Sequence, residues 1–220
     1  MSKILESTLT RNISWRESIL NKNPDYFQNL TKGQSPDILW LGCSDSRTGP
    51  EIITQSNLGG FFVQRNVGNL ISSHDLSLNS VIDYAINSLH VKDIVLCGHT
   101  HCGAIESCFH DESQLSSHLS DWLSSVRVTK DKYRNILNKL DLKDQKEKMV
   151  YLNLIEQMIN LSHLSIVSKA LKEKRVEIHG CIYDMGKGTI VRMVDFNHES
   201  DIHESLDNFI RDHILATVNI

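Results

Sequence analysis

What most constrains this chain is a set of short, wholly apolar runs separated by longer stretches with helical spacing. Ile38-Leu39-Trp40-Leu41 is the first run, preceded by the turn-forming Lys32-Gly33-Gln34-Ser35-Pro36. A strand that is apolar at every position has both faces covered, as in a parallel sheet packed between helices. Phe61-Phe62-Val63, residues 93–97 and residues 176–183 are the further runs read as strands, the third opening on Asp93 and the fourth carrying Glu177 and His179. Leu78, Val81, Ile82, Ala85, Ile86 and Leu89 recur at helical spacing over residues 76–89. Residues 115–140 and 145–174 are charged with helical periodicity, and 201–216 suit a last helix. Residues 189–196 alternate like an edge strand paired antiparallel. The expectation is an α/β fold with a mainly parallel central sheet flanked by helices and an antiparallel edge strand late in the chain.

Ahead of this core, residues 3–21 scatter apolar side chains among polar ones, which predicts a pair of short helices or one broken helix. The three prolines, Pro24, Pro36 and Pro50, all fall in the first quarter, and no linker or repeat follows. The reading is one domain over residues 1–220: an N-terminal helical arm at 1–30, an α/β core at 31–200 and a C-terminal helix at 201–220. The segment 112–148, charged and amphipathic, reads as a solvated helix lying on the body.

A net charge of -4 gives no electrostatic footprint for nucleic acid or an anionic membrane. No apolar run approaches the ~20 residues of a membrane span, and the start lacks a secretory apolar stretch, so a cytoplasmic protein is expected. The five cysteines, Cys43, Cys97, Cys102, Cys108 and Cys181, are odd in number, which argues against a disulfide framework. Each is either a core residue or a metal ligand.

Two motifs follow predicted strands directly, where α/β folds place their ligands. They are Gly42-Cys43-Ser44-Asp45-Ser46-Arg47 and Gly98-His99-Thr100-His101-Cys102-Gly103. If the strand ends are neighbours, Cys43, His99 and Cys102 meet as a ligand set suited to zinc with an open fourth position. Two core thiols and a hydrogen-bonded histidine are the alternative, and His101 competes with His99 by position. Asp45 and Arg47 suit a bidentate pair. Beside a metal, Asp45 either orients water or takes the fourth ligand position when Arg47 lets go; a plain salt bridge is the bland account. There is no Cys-x-x-Cys pair for thiol redox chemistry and no Gly-x-Gly-x-x-Gly turn for a dinucleotide.

Cys-Ser-Asp-Ser-Arg at 43–47, Phe62-Val63-Gln64-Arg65-Asn66-Val67-Gly68-Asn69 and Gly-His-Thr-His-Cys-Gly-Ala at 98–104 together closely resemble the β-class carbonic anhydrases. The helix 151–161, with Asn153, Gln157 and Asn160, and the late strand His179-Gly180-Cys181-Ile182-Tyr183-Asp184 extend the resemblance. It covers roughly residues 30 to 195. The resemblance implies one Zn2+ per chain on Cys43, His99 and Cys102, with Asp45 and Arg47 as the dyad beside it. The activity implied is reversible hydration of carbon dioxide to bicarbonate by a zinc-activated hydroxide. Gln34 would donate to bicarbonate, and Phe62, Val67 and Tyr84 would wall an apolar slot, although these three also suit ordinary core packing. A homodimer, or a dimer of dimers, is implied as the assembly.

Two ligand thiolates make a coordinated water less acidic than three imidazoles would, so activity is expected to rise with pH. His74, His101 and His110 are candidate proton shuttles or plain solvent-exposed side chains. Members of the family that switch off at low pH carry a bicarbonate pocket, and Trp40, Arg65 and Tyr183 stand at its positions. Gln34 instead resembles the open-site members, and Thr48 departs from the valine common after Ser-Arg. Carbon disulfide or carbonyl sulfide hydrolysis on the same scaffold, and a non-catalytic zinc-stabilised protein, are the rival functions.

Overall fold

The computed structural model describes residues 2–217. The chain divides into two compact units at the Ser35–Pro36 junction. In the first, α1 (Lys3–Leu20) and α2 (Tyr26–Leu30) flank the break at Pro24. The sequence suggested a pair of helices or a broken one over 3–21, but α1 is a single unbroken helix. Nothing in it breaks a helix, since it holds neither glycine nor proline. It buries none of its side chains, leaving Ile4, Leu5, Leu9 and Ile13 exposed. Trp15 meets Phe27 edge-on, at 5.5 Å between ring centroids.

The second unit is built on five strands: β1 (Ile38–Cys43), β2 (Phe61–Asn66), β3 (Asp93–His99), β4 (Glu177–Asp184) and β5 (Thr189–Phe196). Their order is β2-β1-β3-β4-β5, with only the β4–β5 pair antiparallel. The anticipated α/β class is therefore the observed one. Each early strand runs two or three residues past its apolar run, so β1 ends on Cys43 and β3 on His99. The register places Gly42 beside Cys97, which sets those two ends next to each other. Gly42 is required by close approach, because a Cβ there would lie 2.8 Å from Trp40 Nε1.

Helices α3 (Pro50–Thr54) and α4 (Leu76–Asp83) follow β1 and β2. Asp75 caps α4 by accepting from Leu78 N at 3.1 Å. The expected helix 76–89 does not continue as one type: it widens into a π turn at Tyr84–Ser88. The helical stretch expected at 115–140 is broken into α6 (Ser117–Trp122), α7 (Ser124–Lys132) and α8 (Arg134–Leu137), after the short α5 (Gly103–Glu106). Leu123, Val126, Tyr133 and Leu137 are buried, so this region is part of the core rather than a solvated addition. The helical stretch 145–174 is α9 (Leu142–His163) and α10 (Ser165–Lys172), broken at Leu164. α9 packs on β3 and β4, and Met158 lies under Gly180, where an added Cβ would meet its Cγ at 3.2 Å. The last helix, α11 (Ile202–His213), is capped by Asp201; residues 218–220 of the expected C-terminal helix lie outside the described residues.

All five cysteines are free and buried. Among the described residues no helix is long and apolar enough to cross a membrane.

Candidate metal centre

Cys43 ends β1, His99 ends β3, and Cys102 immediately precedes α5. Their ligand atoms all lie within 4.8 Å of one another, and the two Sγ atoms are 3.9 Å apart. All three side chains are buried. His99 Nδ1 lies 3.0 Å from the Thr100 carbonyl, which can only accept, so Nδ1 carries the proton. Nε2 is left as a buried lone pair with no hydrogen-bond partner. An orphaned buried nitrogen is costly unless something binds it. Here it faces two thiols, and two sulfurs with one imidazole are a zinc donor set. These residues fit a zinc ion.

The thiols are coupled. Cys43 is pushed well below the usual thiol range, first by the hydrogen bond from Cys102, against burial, and further by the backbone amides of Gly68 and Asp45. Cys102 is pushed up by the same bond to Cys43, by burial and by the charge of its partner. The two sulfurs compete for one another's proton, and a divalent cation would satisfy both as thiolates.

Beside them, Arg47 grips Asp45 with both prongs: Nε to Oδ1 at 2.9 Å and Nη2 to Oδ2 at 2.6 Å. The Arg47 amide also donates to Oδ1 at 3.0 Å, and Nη2 reaches the His101 carbonyl at 3.1 Å. The Arg47 hydrogen bonds hold the Asp45 carboxyl well below the usual carboxylate range, against a smaller cost of burial. Asp45 Oδ2 lies 4.0 Å from His99 Nε2, so the carboxylate borders the ligand cluster without belonging to it.

The remaining sequence candidates fall in several places. Phe62 is half-buried and meets the Tyr84 ring at 5.7 Å between centroids. Tyr84 is 48% and Val67 40% exposed, so neither is simply a core residue of this chain. An open hollow of about 440 Å3 between Ser44, Asn66, Val67 and Trp122 adjoins this edge. Gln34 is exposed in the first unit. Trp40 is buried and packs with Tyr183 in a small cluster with Cys97 and Cys181. The Arg65 guanidinium hydrogen-bonds to the 43–48 turn. His101 is exposed at φ 56° and lies outside the ligand cluster; His74 and His110 are exposed as well. A second hollow, of about 760 Å3, is lined by Thr100, His101, Lys146, Tyr151 and Asp184, and none of the three ligand residues lines it.

Sequence reading missed the loop's supports. Trp122, from the region taken as a solvated helix, donates Nε1 to the Val67 carbonyl at 2.7 Å. Asn153 donates to the Gly68 carbonyl at 3.2 Å, and Gln157 accepts from Ile71 N at 2.8 Å. Gly68 itself sits at φ +85°, where a side chain is strained. The spacing of Asn153, Gln157 and Asn160, which puts three amides on one helix face, was the available signal.

Comparison with known proteins agrees with this geometry. The family described as carbonic anhydrase matches residues 38–190. A carbonic anhydrase of Emericella nidulans is 36% identical over 200 residues, covering 88% of this chain and 84% of its own. The solved structure of a Coccomyxa β-carbonic anhydrase in complex with acetazolamide is similar with a TM-score of 0.86 at 30% identity, covering 96% of this chain and 99% of that one. A Sordaria macrospora β-carbonic anhydrase, described as tetrameric, gives 0.84 at 32% identity, covering 87% and 98%.

Proposed function

The chain belongs to the β-class carbonic anhydrase family, and from that premise we propose that it is a zinc enzyme hydrating carbon dioxide reversibly to bicarbonate and a proton. The observation that carries the zinc reading is the buried, unpartnered Nε2 of His99 between two thiols. Cys43, His99 and Cys102 would hold one ion per chain. When bound, zinc supplies Lewis acidity that brings the pKa of a water from about 15.7 towards about 7.

The chain's own groups do the rest. Asp45, kept ionised by Arg47, presents Oδ2 as an acceptor that orients the attacking water. While Arg47 grips both oxygens, Asp45 is not free to act as a fourth ligand. Phe62, Val67 and Tyr84 form an apolar wall that favours carbon dioxide over water, and Gln34 is the proposed amide donor to bicarbonate. The exposure of Val67 and Tyr84, and of the apolar side chains on α1, supports assembly as a homodimer or a dimer of dimers. Five free cysteines support a reducing, cytoplasmic location.

The test is zinc content together with stopped-flow hydration from about pH 6.5 to 9 for the wild type and Cys43→Ser. The expected result is one zinc per chain, with activity that rises with pH and is lost in the variant. Zinc without hydration at any pH would overturn the activity and leave the sulfur analogues or a structural metal.

A further inference from the structure

The turn after β1 carries a zinc-ligand candidate at one end and the Asp45–Arg47 pair at the other. One side chain from the neighbouring strand holds it from behind. Arg65, on β2, donates Nε to the Cys43 carbonyl at 2.7 Å and Nη2 to the Asp45 carbonyl at 2.5 Å. The same Nη2 reaches Thr48 Oγ1 at 3.3 Å. That hydroxyl donates in turn to the Asp45 carbonyl at 3.0 Å, with the Cys43 carbonyl at 3.4 Å. Thr48 is itself buried, and its amide closes the turn on Asp45 O at 3.1 Å. Thr48 therefore ties the turn to itself, and Arg65 clips it to β2.

A guanidinium suits this place because its rigid fork takes two carbonyls at once, while an ammonium on a flexible stem satisfies them one at a time. The spacing it fixes matters because Asp45 Oδ2 stands only 4.0 Å from His99 Nε2. A misplacement of about 1 Å in such a constellation costs on the order of 100-fold in rate.

We propose that Arg65 is a positioning residue of the metal centre, setting the Asp45–Arg47 pair against Cys43 through two backbone carbonyls, with the Thr48 hydroxyl as its wedge. Arg65 is not among the three metal-ligand candidates and acts on them through the backbone of the turn. The proposal rests on the zinc hydration reading above and deepens it. Asp45 keeps its place because its carbonyl is held, not only because its carboxylate is paired.

The experiment compares the wild type with Arg65→Lys and Thr48→Val by three readouts. These are deuterium exchange of the metal-free protein over residues 43–49, zinc release to a chelator, and hydration kinetics split into kcat and KM. Lysine keeps the charge and loses the fork; valine keeps the shape and loses the hydroxyl. For Arg65→Lys the expected result is exchange at 43–49 and zinc release each about tenfold faster, with kcat about tenfold lower at unchanged KM and exchange in β3 unaltered. Thr48→Val is expected to move the same quantities by about two- to threefold.

Zinc release and kcat at wild-type values in Arg65→Lys, with a lowered Tm and faster exchange across β1 and β2 alike, would show an ordinary structural arginine and overturn the proposal. If Arg65→Lys does not fold, Thr48→Val decides: wild-type exchange and zinc release in that variant reject the clasp. A wild type that neither keeps zinc nor hydrates carbon dioxide sinks the functional reading instead. That outcome is distinguishable, because the exchange is read on metal-free protein.

Discussion

Replacing Gln157 by leucine tests the link between α9 and the loop that borders the metal centre. Gln157 is 1% exposed and makes three hydrogen bonds. Its Oε1 accepts from Ile71 N at 2.8 Å and from Asn160 Nδ2 at 3.2 Å, and its Nε2 donates to Asn153 Oδ1 at 3.2 Å. Leucine has a similar volume, so no large cavity opens and the change is almost purely one of polarity. Asn160 is exposed and can find water. Ile71 N and Asn153 Oδ1 belong to buried residues and lose their partners, at about 1–3 kcal/mol each. The apolar side chain offsets about 1 kcal/mol of that. The net loss is about 1–5 kcal/mol, out of the roughly 5–15 kcal/mol typical of a domain. Urea unfolding at one fixed protein concentration, with and without zinc, measures it as a lower midpoint at unchanged slope. A loss below about 0.5 kcal/mol would refute the reasoning, since it would mean that neither buried group depended on the amide.

Arg47→Ala should barely touch stability, because the side chain is 55% exposed and its ion pair is screened by solvent, while lowering kcat about 10- to 100-fold. Thermal melting and stopped flow separate the two effects, and an intact kcat would contradict the role given to the pair. Removing zinc with a chelator should lower Tm, since free metal at about 1,000 times its Kd contributes about 4 kcal/mol; an unmoved Tm would argue against a bound metal. His179 bridges three strands, with Nδ1 2.6 Å from Asp195 Oδ1 and Nε2 2.9 Å from Asp93 Oδ1. Burial opposes its charge, but the two carboxylates outweigh burial and raise its pKa above 6.5. The stability it contributes is therefore complete below the unfolded pKa and fades as pH rises through the higher folded value. Unfolding free energies of the wild type and His179→Gln should converge as the pH is raised through that window, and a constant difference would sink this account.

The strands and the zinc-ligand candidates were legible in the sequence because both are local signals. Ile38–Leu41 and residues 94–97 are apolar at every position, which covered strands require, and each motif stands directly at a strand end. The Asp45–Arg47 pair was legible for the same reason, since its partners are two residues apart. Other features had no local signature. The π turn at Tyr84 keeps the apolar spacing of an ordinary helix. The clip from Arg65 spans 22 residues to Cys43, Trp122 reaches Val67 across 55, and Gln157 reaches Ile71 across 86. Periodicity and backbone sterics act over one or two turns of chain, so sequence alone determined which segments form strands and which residues stand at their ends. Which buried donor meets which carbonyl depends on strand order, register and the packing of α9, and these are settled only when the whole core closes.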